Sequence, residues 1–82
     1  MKIVWDEPKR LTNLDKHGMN FADLTVEFFE AATIYPGNGN RIVSIGHWNG
    51  QIIITVVFRP LGSEAISIIS MRPASRKERR HL

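Results

Sequence analysis

The chain has no cysteine, a single tyrosine and no apolar run long enough to span a bilayer. Without thiols there are no disulfides and no thiolate metal ligands, which fits a reducing cytoplasm. The longest apolar stretch, Ile52 to Phe58, is broken by Thr55 and falls far short of the roughly 20 residues of a membrane helix. Met1 to Asp6 lacks the apolar core and cleavage site of a signal peptide. A soluble, cytoplasmic protein without a membrane partner is expected. Metal ligands are also scarce in pattern. His17, His47 and His81 lie far apart, and the eight acids form no paired motif, so no metal site is expected. Gly37-Asn38-Gly39 falls between a helix and a strand, the wrong order for a dinucleotide loop, and no cofactor is expected.

What is present is ordinary globular composition, 43% apolar and 23% charged over 82 residues, enough for a single domain over 1–82. The charge is not evenly spread. From Arg72 to Leu82 five Lys/Arg stand against one acid, a local +4, while the other 71 residues carry six basic and seven acidic side chains. The whole excess of +3 therefore comes from the last eleven residues. Such a concentration suits a polyanion such as a nucleic acid backbone, or else a solvated basic terminus.

The pattern predicts an α+β domain in the order β-α-α-β-β-β-α. Lys2 to Trp5 reads as a strand. Asp6 reads as the N-cap of a helix ending near His17, with Gly18 as its left-handed stop. Leu11 and Leu14 would be its buried stripe. Asn20 would cap a second helix burying Phe21, Leu24, Phe28 and Ala31 or Ala32. Arg41 to Trp48 and Gln51 to Arg59 form a hairpin about Asn49-Gly50, with Trp48 opposite Gln51 and Ser44 opposite Thr55. That register gives a dry face of Val43, Ile45, Ile54, Val56 and Phe58. The working face would carry Ser44, Gly46, Trp48, Thr55 and Arg59. After the turn Pro60 to Glu64, Ala65 to Arg72 is a fourth strand, and Ser75 with Glu78 forms a capping box opening a last helix.

The remaining chemistry is cationic. Metal-free RNA cleavage needs deprotonation of a 2′-hydroxyl, neutralisation of a phosphorane and protonation of the leaving 5′-oxygen. Arginine suits the second task, and histidine or lysine the proton transfers. Lys2-Ile3-Val4-Trp5-Asp6 with Lys9 and Asn13, then Lys16-His17-Gly18-Met19-Asn20-Phe21, resembles the N-terminal signature of the BrnT toxins. Ile68-Ile69-Ser70-Met71-Arg72-Pro73-Ala74-Ser75-Arg76-Lys77-Glu78-Arg79 resembles their C-terminal signature. The resemblance implies a RelE-like fold, with two N-terminal helices packed on a small, mostly antiparallel sheet and a short C-terminal helix. It also implies a ribonuclease that stops translation, encoded beside a ribbon-helix-helix antitoxin, BrnA, through which alone it would meet DNA. Ser67, Met71 and Pro73 depart from the family pattern, two of them at usually basic positions.

On this reading Arg72 and Arg76 stabilise the phosphorane, and His17 or Lys16 moves the proton. Arg59 and Arg79 hold neighbouring phosphates, and Trp48 meets RNA or a partner. Each has a plainer reading. His17 also completes a helix terminus, Arg59 can pair with Glu64, and Glu78 is the capping-box carboxylate. The alternative function is a degenerate toxin that binds RNA or antitoxin without cutting. A DNA-binding regulator is disfavoured, because the basic helix follows a strand without a helix-turn-helix context.

Overall fold

The computed structural model describes residues 1–50 and 52–82, so the expected pairing of Trp48 with Gln51 lies outside the described residues. The elements are β1 (Lys2–Trp5), α1 (Glu7–His17), a 3-10 turn (Phe21–Asp23), α2 (Val26–Ala31), β2 (Thr33–Pro36), β3 (Ile42–Trp48), β4 (Ile52–Leu61), β5 (Ala65–Pro73) and α3 (Arg76–Arg79). Five strands form one sheet in the order β1-β5-β4-β3-β2. All pairs are antiparallel except β1 with β5. The α+β class agrees with the sequence reading.

Helix α1 has the expected ends. Asp6 stands at the N-cap, though its side chain makes no capping hydrogen bond, and Gly18 stops the helix at φ 67°. Its buried face is not the expected one. Leu11 and Leu14 are exposed, whereas Asn13 is buried and Arg10 and His17 are half-buried. These three fall on one helical face, so α1 turns a polar side inward. The reason lies in the sheet. Strand β1 stops opposite Ile68, leaving the edge of β5 open beyond that point. Asn13 fills the gap. Its Oδ1 accepts from Met71 N–H at 3.0 Å, and its Nδ2 donates to Met71 O at 2.9 Å and Met19 O at 3.0 Å. A side-chain amide thus replaces the missing strand and satisfies backbone groups that burial would orphan.

The single second helix over 20–32 is corrected. Asn20 does act as a cap, accepting from Ala22 N–H, but only for one 3-10 turn. Leu24 is extended, and Thr25 starts α2 afresh by accepting from Phe28 N–H. A hydroxyl side chain that bonds nearby backbone favours such a restart over helix continuation. Phe21, Leu24 and Phe28 are buried as expected, and Phe29 joins them. The sequence reading has no strand at Thr33–Pro36, where β2 pairs with β3. Proline is tolerated there because β2 is an edge strand.

The hairpin register is corrected by one residue. Trp48 pairs with Ile52, Gly46 with Ile54 and Ser44 with Val56. Asn49 and Gly50 both have positive φ, 53° and 74°, but the connection is a residue longer than a two-residue turn. The slip regroups the faces. Ser44 and Gly46 now share a face with Ile54, Val56 and Phe58, while Ile45 and Thr55 lie on the other. At Gly46 a Cβ would stand 3.1 Å from Phe28 Cε1 and 3.3 Å from Ala32 Cβ, so α2 rests directly on β3. The main core lies on this side, with Phe28, Phe29 and Phe58 packed edge to face at 5.1 and 5.4 Å. Helix α3 lies over the opposite face.

Candidate functional site

Strand alternation sets Thr55 and Arg72 side by side on β4 and β5. Helix α3 is anchored above them by the expected capping box: Ser75 Oγ accepts from Glu78 N–H, and Glu78 Oε1 accepts from Ser75 N–H at 2.8 Å. The same carboxylate has a second partner that the sequence reading missed. Arg72 donates from Nη1 to Glu78 Oε1 at 2.7 Å and from Nη2 to Oε2 at 2.9 Å, a two-pronged pair. Nη1 also approaches Pro73 O at 3.4 Å. The hydrogen bond from Arg72 pushes the Glu78 carboxyl down to about 2 against the opposing effect of burial, with smaller help from Ser75 N–H and Thr55. The buried Thr55 hydroxyl nevertheless makes no hydrogen bond of normal length. Glu78 in turn holds the Arg72 guanidinium above its ordinary value.

Tyr35 completes this cluster from β2. Burial raises its phenol above the usual range, the Glu78 charge adds to this, and Arg72 opposes it. Its ring lies 5.0 Å from that of His81, tilted by 32°. Tyr35 sat in a segment read from sequence as turn, so the strand face that presents it was not visible. Regular alternation of Ser70 and Arg72 along β5 was the available signal for this side of the sheet.

The other expected site residues divide by location. Arg76 and Arg79 are exposed on α3 and form no ion pair among the described residues. Lys16 and His17 line a groove of about 320 Å³ between α1 and β5, together with Lys9, Thr12, Asn13, Pro8, Ile69 and Ser70. No acid lines it. Ser70 joins this groove to the α3 side, because Arg72 follows two positions along the same strand. Arg59 is exposed on β4, past the end of β3 and four residues from Thr55, about 13 Å along the strand. It stands apart from the cluster, and it forms no pair with Glu64 among the described residues. Trp48 is also apart. It packs half-buried against the aromatic core and lines a second groove with Asp23, Glu27 and His47. Two carboxylates beside it make poor company for phosphate. Among the described residues no three His, Asp or Glu side chains converge as metal ligands, and no helix is long and apolar enough to cross a membrane.

Fold and cationic rim together define a small α+β protein shaped to meet a polyanion. Residues 5–78 match the family described as "Ribonuclease toxin, BrnT, of type II toxin-antitoxin system". The chain belongs to the BrnT family, and is thus a ribonuclease toxin with an RNA target and an antitoxin partner. It is similar to the Brucella abortus ribonuclease toxin, BrnT, whose crystal structure at 1.1 Å resolution it matches with 59% identity and a TM-score of 0.88. The match covers 93% of this chain and 99% of that one. No curated protein sequence gives a comparable match.

Proposed function

We propose that this toxin cleaves RNA without a metal, by attack of a ribose 2′-oxygen on the adjacent phosphorus. A bond forms between O2′ and phosphorus as the bond to O5′ breaks. The 2′-proton passes to a base on the protein, and a proton reaches the departing 5′-oxygen. The products are a 2′,3′-cyclic phosphate and a 5′-hydroxyl. The observation that carries this reading is the state of Arg72. Glu78 occupies one N–H on each terminal nitrogen and Pro73 O draws the second on Nη1, which orients the guanidinium and leaves its Nε–H and outer Nη2–H for phosphate oxygens. Arg76 would share the phosphorane charge, with Arg79, and less directly Arg59, on flanking phosphates. His17 or Lys16, reached through the Ser70 groove, would handle the proton. Glu78, held near 2, is too weak a base for this work at neutral pH.

The same reading includes a RelE-like fold for this sheet and its helices. It includes arrest of translation in the cytoplasm and neutralisation by a BrnA-like ribbon-helix-helix antitoxin that brings the toxin to DNA only indirectly. One observation favours the degenerate alternative: Arg72 is already partly neutralised by Glu78, and Ser67 and Pro73 add no positive charge nearby. The test is incubation of purified protein with single-stranded RNA in excess EDTA. Cleavage leaving 2′,3′-cyclic phosphate ends is expected. Cleavage that appears only with added divalent ion overturns the mechanism. Intact antitoxin binding without any cleavage supports the degenerate toxin.

A further inference from the structure

We infer that the Tyr35–His81 pair is a subsite for a nucleobase of single-stranded RNA, an inference that rests on Arg72 holding phosphate. Tyr35 comes from β2, near the middle of the chain, and His81 from its end, yet their rings meet at 5.0 Å with a tilt of 32°. Tyr35 is half-buried and forms the inner layer. His81 is exposed and forms the outer layer, and a third planar group would stack on its ring face turned away from Tyr35. The pair is held in place by α3, because His81 N–H donates to Glu78 O at 3.0 Å. Glu78 is also the residue that grips Arg72.

The scale is right for one nucleotide and its phosphate. Strands β2 and β5 are three strand spacings apart, about 14 Å, and Tyr35 lies level with Ser70, two residues or about 7 Å along β5 from Arg72, a span that the two long side chains shorten across the same face. Both also bear on the single carboxylate of Glu78. A strand whose phosphate meets Arg72 thus has an aromatic surface beside it on the same face. Trp48, the larger ring, lies on the other face of the sheet with Asp23 and Glu27. Stacking on an aromatic ring is tolerant of base identity, so this subsite would supply affinity more than sequence choice.

The experiment compares two non-cleavable probes of equal length: a short mixed-sequence 2′-O-methyl oligoribonucleotide and an abasic phosphodiester chain. Binding is followed by fluorescence anisotropy. Wild type should prefer the base-bearing probe. His81→Ala should weaken that probe by about 5- to 150-fold, the usual worth of one stacked base, and leave the abasic chain unchanged. His81→Phe, aromatic but uncharged, should retain the preference, as should Tyr35→Phe. An equal loss for both probes in His81→Ala would make His81 a charge contact and overturn the subsite. An undiminished preference in His81→Ala would overturn it too. If wild type binds neither probe, the phosphate reading falls with it. If His81→Ala still cuts RNA in EDTA while showing no base-dependent loss, only the subsite is lost.

Discussion

Asn13 illustrates how much one side chain can decide. It is one of few polar residues buried among the described residues, and its amide meets three backbone groups. Truncation leaves Met71 N–H and two carbonyls without their side-chain partner. We expect Asn13→Ala to cost about 2–4 kcal/mol, since each orphaned group costs about 1–3 kcal/mol with partial relaxation. Urea unfolding measures this, and a loss near zero would show that water replaces the clamp. Arg72 helps to seat α3 through Glu78, and on the proposed mechanism it also acts on the chemistry. Arg72→Ala should lower the cleavage rate by roughly 10²–10³, the usual worth of an oriented charge donor, and reduce RNA affinity by less. Equal losses in both would make it a ground-state phosphate clamp.

At the scale of elements, α3 has only four helical residues and cannot hold itself against the sheet. Its capping box and the Arg72–Glu78 pair do that work. Glu78 has a folded pKa of about 2 against an ordinary 4.5, so its contribution is complete above pH 4.5 and fades as pH falls toward 2. Wild type and Glu78→Gln should therefore differ in Tm at neutral pH and converge in acid. A difference of about 4–8 °C at neutral pH corresponds to ~1 kcal/mol for a domain of this size. A gap that widens in acid would assign the carboxylate some other role. Helix α2 depends on contact instead of charge. Gly46→Ala would press a methyl group against Phe28 and Ala32, and a destabilisation of about 1–3 kcal/mol is expected in thermal unfolding.

The molecule as a whole is divided by its sheet. Aromatic core and α2 lie on one face, and α3 with its arginines on the other. RNA binding should weaken steeply with salt, and removing Arg76 or Arg79 should reduce the slope of log K against log salt by about 0.7 each for a single strand. A substitution that lowers affinity without changing the slope would exclude a direct phosphate contact. An acidic antitoxin segment would meet the same rim, so titrating antitoxin should displace bound RNA. A ternary complex would place the antitoxin elsewhere, for which the Trp48 groove is the alternative surface.

The local signals in the sequence were sufficient for the ends of α1, the capping box at Ser75, the burial of Phe21, Leu24 and Phe28, and the gathering of arginines at α3. Each depends on neighbours within a few residues, where backbone chemistry acts directly. The BrnT signatures likewise carried the family. Tertiary structure decided the rest. The inward turn of Asn13 follows from where β1 ends and from its partner Met71, which lies fifty-eight residues from Asn13 along the chain. Thr55 stayed on its expected face, but which face carried Ser44 and Gly46 depended on one residue of hairpin register, and alternation turns that single step into an exchange of sides for the whole of β3. Glu78 reads from its spacing as a cap and nothing more. Only the approach of β5 to α3 makes it the partner of Arg72, because an ion pair depends on distance in space and leaves no period in the sequence.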